Sequence, residues 1–99
     1  MSYWIHPDAE AELTEAAVYY ATHASRAIAQ AFLTEFERLR DLLIENPQRG
    51  ARGDGGLRVY HFDRFPYTVV YDAVPTDGPH ILAVAHQSRE PGYWSSRSQ

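Results

Sequence analysis

The chain has 99 residues, 44% of them hydrophobic and 22% charged, the composition of a single globular domain over residues 1–99 and not of a disordered or fibrous chain. Cysteine is absent, which removes disulfides, thiol nucleophiles and cysteine metal sites together. The formal net charge is −4 and every one of the nine cationic residues is arginine, a balance that argues against non-specific nucleic-acid binding, which needs many phosphate contacts.

Tyr3-Trp4-Ile5 is β-prone and long enough for one short strand, which Pro7 closes. From Asp8 the period changes. Ala9, Leu13, Ala16, Ala17, Tyr20 and Ala21 recur every three or four residues, as one helix face requires. Asp8, Glu10 and Glu12 lie at the helix start, where negative charge favours the macrodipole. Thr22-His23-Ala24 reads as a break, and Ser25 as the N-cap of a second helix. Its apolar stripe is Ile28, Ala31, Phe32, Phe36, Leu39 and Leu43, with Glu35, Glu37, Arg38 and Arg40 expected to face mostly water. Asn46-Pro47 ends it. So short a connection predicts an antiparallel helical hairpin.

The glycine-rich stretch from Gln48 to Gly56 reads as a mobile loop. Leu57, Val59 and His61 then alternate with Arg58, Tyr60 and Phe62, and Tyr67, Val69 and Tyr71 with Thr68, Val70 and Asp72. Asp63 to Pro66 is a turn between the two strands, and Pro75 to Pro79 is dense turn chemistry. Ile81 to Ala85 is a continuous apolar run, expected to be a central strand covered on both faces. Residues 95–99 are expected to fray. The predicted fold is α+β, in the order β-α-α-β-β-β, an antiparallel sheet with the helical hairpin on one face.

Charge divides unevenly. Residues 1–48 carry net −5 and residues 49–99 net +1. No apolar run approaches the roughly 20 residues that span a bilayer, and the N-terminus has no secretory pattern, so a cytoplasmic location without membrane contact is expected. There is no HExxH, P-loop, GxSxG or dinucleotide fingerprint, and the five histidines lack ligand spacing. No metal or cofactor is expected.

The chemistry gathers near the C-terminus. His86, Arg89, Tyr93, Trp94 and Arg97 follow directly on the central strand, and Arg58 and Arg64 come from the neighbouring strand and turn. One reading is a polar site at a strand end that grips an anion or a partner surface. The other is structural. Tyr93 and Trp94 pack the chain end onto the sheet, Arg89 pairs with Asp63 or Glu90, and His86 is a hydrogen-bonded structural histidine. Arg58 shares a face with Tyr60 and Phe62, but which face meets the helices is not readable from alternation.

In order along the chain, HPDAEAEL at His6 to Leu13, ENPQRG, LRVYHFDRFPYTVVYD and AVAHQSREPGYWSSR resemble the RelE/ParE superfamily of type II toxin–antitoxin toxins, and within it the ParE-like branch. The closing His86, Arg89, Pro91, Tyr93, Trp94 and Arg97 carry the most specific part of the likeness. The resemblance implies a helical hairpin on an antiparallel sheet and a cognate antitoxin from the adjacent gene. It also implies one of two activities: inhibition of DNA gyrase by ParE-like members, or cleavage of mRNA on the ribosome by RelE-like members. A member retained only to bind its antitoxin is the third case. RNA cleavage would use His86, Arg89, Tyr93, Arg58 and Arg64 for proton transfer and phosphorane stabilisation. Lysine is absent, and Asp63 would repel phosphate unless Arg58 or Arg64 neutralised it. The favoured expectation is therefore a binding toxin with Arg58, Arg64, His86, Arg89, Tyr93, Trp94 and Arg97 as target contacts.

Overall fold

The computed structural model describes residues 2–97. Five strands form one sheet in the order β1-β5-β4-β3-β2. They are β1 (Trp4–Ile5), β2 (Ala51–Arg52), β3 (Arg58–His61), β4 (Tyr67–Asp72) and β5 (His80–His86). The helices α1 (Pro7–His23) and α2 (Arg26–Glu45) pack antiparallel against one face. The β3-β4-β5 meander is antiparallel as its alternation predicts, but β1 joins β5 in parallel, with Trp4 opposite His80. The sheet is therefore mixed.

Local chemistry sets the helix ends. His6 Nδ1 accepts from the Asp8 amide (3.0 Å) ahead of Pro7 at the first helical position. Ser25 Oγ accepts from the Ile28 amide (3.0 Å), the N-cap its sequence position predicts. The stripe on α2 buries Phe32, Phe36, Leu39 and Leu43, while Ile28 stays 42% exposed. Phe32 stacks on Phe62 at 5.1 Å and meets Phe65 and Tyr67 edge-on, so a ring from α2 joins the β3–β4 hairpin to the helices.

Two corrections concern loops and faces. The segment read as a mobile loop contains a 3₁₀ turn at Pro47–Arg49, strand β2 and a second 3₁₀ turn at Asp54–Gly56. Tyr71 organises its start. The phenol accepts from the Gly50 amide (2.9 Å) and donates to the Pro47 carbonyl (2.7 Å). Tyr60, Phe62, Tyr67, Val69 and Tyr71 face the helices, which places Arg58 on the helix side and Val59, His61, Thr68 and Val70 on the other. In β5 the register slips at Leu82, since Val70 pairs with Ala83 but Tyr71 with Ile81. This bulge lets both Ile81 and Val84 enter the helix-side core. No helix among the described residues is long and apolar enough to cross a membrane.

Candidate functional site

Strand β1 ends at Ile5, and beyond that point the outer edge of β5 has no strand beside it. Unpaired backbone groups there would cost free energy if left buried. Two side chains take them. Glu12 of α1 accepts from the Val84 amide (3.0 Å), and Arg97 donates to the Leu82 carbonyl (3.1 Å). The same two side chains pair with each other at 3.0 Å, each only 11–12% exposed. Arg89 reaches Glu12 at 3.5 Å, and Arg97 also lies 3.8 Å from Asp8. Glu12 thus binds the edge of the sheet and two cations from the chain end. We refer to this arrangement as the clasp.

Tyr93 sits between those cations, with the Arg89 guanidinium 3.8 Å and the Arg97 guanidinium 5.0 Å from its ring centre. Burial first, then the Glu12 carboxylate, pushes its phenol up to about 12, against the opposing pull of Arg89 and Arg97. The Glu12 carboxylate is the acceptor nearest this hydroxyl in effect, by hydrogen bonding ahead of bare charge, although the pair falls outside ordinary hydrogen-bond geometry. Burial works against the charge on Arg97, but its hydrogen bond to Glu12 and the nearby anions outweigh this and raise its pKa. Residues 95–97, expected to fray, form a 3₁₀ turn tied down by Arg97. Ser98 and Gln99 lie outside the described residues.

The other candidates do not converge there. Arg58 lies at the far edge of the sheet on the helix side, donating to Gly50 O (2.8 Å) and Gln48 O (3.3 Å). Arg64 is at the β3–β4 turn, 3.6 Å from Glu35 and 70% exposed. Asp63 pairs with Arg38 of α2 at 2.8 Å, not with Arg58, Arg64 or Arg89. Glu35, expected in water, is buried and accepts from the Asp63 and Arg64 amides, fixing the turn. His86 meets Tyr67 edge-on at 5.0 Å, and its Nδ1 accepts from the Ser88 amide (3.0 Å).

Sequence reasoning missed Glu12 and Glu35, although a signal was present. Glu35 falls three residues after Phe32 and four before Leu39, and Glu12 stands in the same relation to Ala9 and Ala16. Both acids therefore occupy inward helix positions.

On the face opposite the helices, the sheet floors an open groove of about 760 Å³. Val59, Val70 and Ala85 give it an apolar floor, with His61 bonded to Thr68 at 2.7 Å beside them. One wall is the Gly53–Leu57 segment; the other is the C-terminal run with Arg89 and Trp94. Of the sequence candidates, the groove brings together His86, Arg89 and Trp94. Among the described residues, no group of three or more histidines and acids could hold a metal ion.

Comparison with known proteins follows the same lines. No curated protein matches the chain. A solved structure, described as the chromosomal ParDE TA system from P. aeruginosa, superposes with a TM-score of 0.75 at 19% identity, covering 87% of this chain and 95% of that one. This likeness is one of fold. The family model described as the ParE toxin of the type II toxin–antitoxin system parDE matches residues 3–91. With nine-tenths of its length so matched, the chain belongs to the ParE family of type II toxins.

Proposed function

We propose that this ParE-family toxin acts by binding and not by catalysis, with DNA gyrase as its target and a cognate antitoxin as its neutralising partner. One observation carries the reading: Tyr93, Arg58 and His86, three of the five groups that a nuclease would use, are buried or hydrogen-bonded within the fold, and the exposed Arg64 lies apart from Arg89 at the β3–β4 turn. The Tyr93 phenol is buried and pushed up to about 12, so it is a poor acid near neutrality. Arg58 is tied to the Gln48 and Gly50 carbonyls at the other edge. His86 already uses its acceptor nitrogen on the Ser88 amide. The partly exposed Arg89 and Trp94, beside the apolar groove floor, are residue types that anchor interfaces.

The groove suits a partner segment that supplies apolar side chains to Val59, Val70 and Ala85. An antitoxin laid there would cover Arg89 and Trp94 and hide them from gyrase. Two measurements test the reading. Purified toxin should inhibit gyrase supercoiling at micromolar concentration, and the product of the adjacent gene should co-purify and relieve that inhibition. Unimpaired supercoiling removes the gyrase assignment.

His86 and Arg89 lining the same groove give ribosome-dependent mRNA cleavage as the second reading. It requires transcripts cut in toxin-expressing cells and left intact by a folded His86→Ala variant.

A further inference from the structure

Five of the nine arginines lie within 4.0 Å of a carboxylate: Arg38, Arg40, Arg64, Arg89 and Arg97. Arg49, Arg52 and Arg58 do not, and they gather on or beside the β2–β3 border. Arg49 and Arg52 are exposed and have no ion pair or hydrogen-bonded side-chain partner among the described residues. Arg58 bonds only neutral oxygens of Gln48 and Gly50, so its position is fixed while its charge stays unmet. The two residues it holds flank Arg49 in the chain, which brings these cations together. Arg52 is directly opposite Arg58, and cross-strand partners share a face of the sheet. The acid of this segment, Asp54, lines the groove on the other face.

The arrangement works against stability. Like charges directly opposite each other weaken a strand pair. A chain with 13 acids against 9 arginines still leaves these three without a carboxylate. Tyr71 grips the Pro47 carbonyl and the Gly50 amide behind them, so the cations stand on a fixed backbone, which lowers the ordering cost of binding.

The kind of anion follows from the surroundings. The exposed large apolar side chains are Tyr3, Val18, Tyr19, Ile28 and Val74, and none belongs to this border. Protein interfaces draw their energy from aromatic and aliphatic anchors, which are missing here. A phosphodiester backbone needs none, because it binds by charge neutralisation, and the arginine fork fits phosphate oxygens.

We propose that Arg49, Arg52 and Arg58 form a contact site for the phosphodiester backbone of DNA, used once the toxin is held by its protein target. The net charge of −4 keeps the free protein off bulk nucleic acid, and three phosphate contacts are too few to hold it there at physiological salt. Brought beside DNA by gyrase, the same contacts form intramolecularly and add their full affinity. The choice of DNA rests on the gyrase reading; the cationic site does not.

Two titrations test it. In the first, the intact toxin receives a short DNA duplex at low salt, and the arginine Nε–H resonances are followed. Those of Arg49, Arg52 and Arg58 should shift, and those of Arg38 and Arg40 should not. Three contacts predict a log–log salt slope of about −2.7, an affinity loss of about fortyfold between about 50 and 200 mM salt. The double variant Arg49→Gln, Arg52→Gln should flatten the slope to about −0.9. Both side chains are exposed and without partners, so its urea midpoint should not fall. In the second, the toxin binds gyrase with and without a bound duplex. DNA should tighten binding of the parent about tenfold. The double variant should match the parent on DNA-free gyrase and lose that gain. Shifts that miss these three arginines, a slope unchanged in the double variant, an equal response to a glutamate peptide of the same charge, or a DNA gain that survives in the double variant each overturns the proposal. If the toxin binds neither form of gyrase, the gyrase reading falls and the choice of DNA with it, while the duplex titration still upholds or overturns the site.

Discussion

Tyr93 and Glu12 lie side by side, yet their removal should have opposite consequences. The Tyr93 hydroxyl is buried without a hydrogen bond, so Tyr93→Phe removes an unsatisfied group and keeps the ring between Arg89 and Arg97. Its stability in urea should stay within about 0.5 kcal/mol of the parent or rise. Glu12→Ala strands the Arg97 charge and the Val84 amide together, and should cost about 3 kcal/mol in the same measurement. The phenol also gives a pH dependence. Its folded pKa is raised, so the protonated form favours the fold. That contribution is complete below the ordinary tyrosine value of 10.0 and is lost as pH climbs through about 12. Tyr20, Tyr67 and Tyr71 are shifted in the same direction by burial. Denaturation midpoints should fall between pH 10 and 12, and Tyr93→Phe should flatten the fall.

At the level of elements, the β3–β4–β5 meander and both helices were legible because their periods differ and their turns are chemically marked. Strand β2 was not, since glycines on both sides of Ala51-Arg52 erase any alternation. Its position depends instead on Tyr71, a residue twenty positions downstream of Ala51. Gly50→Ala tests this directly. The added methyl group meets the Tyr71 oxygen and the Val59 carbonyl, one of them backbone, so the change should cost about 1–3 kcal/mol. It should also speed amide exchange in β2 more than in β5. The candidate site was half legible. The cluster of His86, Arg89, Tyr93, Trp94 and Arg97 was visible as composition. Its anchoring to Glu12 was not, because Glu12 and Arg97 are 85 positions apart and no local pattern encodes their meeting. Nor could alternation say which face Arg58 occupies, as that is fixed by the hairpin's choice of side.

For the whole molecule, the sheet has two unlike borders. At the β5 side, Glu12 and Arg97 occupy the backbone groups that β1 leaves open; at the β2 side the border is bare and cationic. A chain cut after Ser88 loses Arg89, Tyr93 and Arg97 together, leaving both borders open and Glu12 without its cations. Size-exclusion chromatography should show that truncated chain moving from monomer to aggregate, as exposed edges invite pairing; a stable monomer would contradict the role given to the clasp. There is a consequence for the order of assembly. The first strand lies beside the last, and Arg97 reaches back to Glu12 across 85 positions. Contacts so far apart in sequence close later than the local helical hairpin and the β3–β4 hairpin. In refolding followed by amide exchange, β3 and β4 should gain protection before β1, and a β1 protected first would contradict that order.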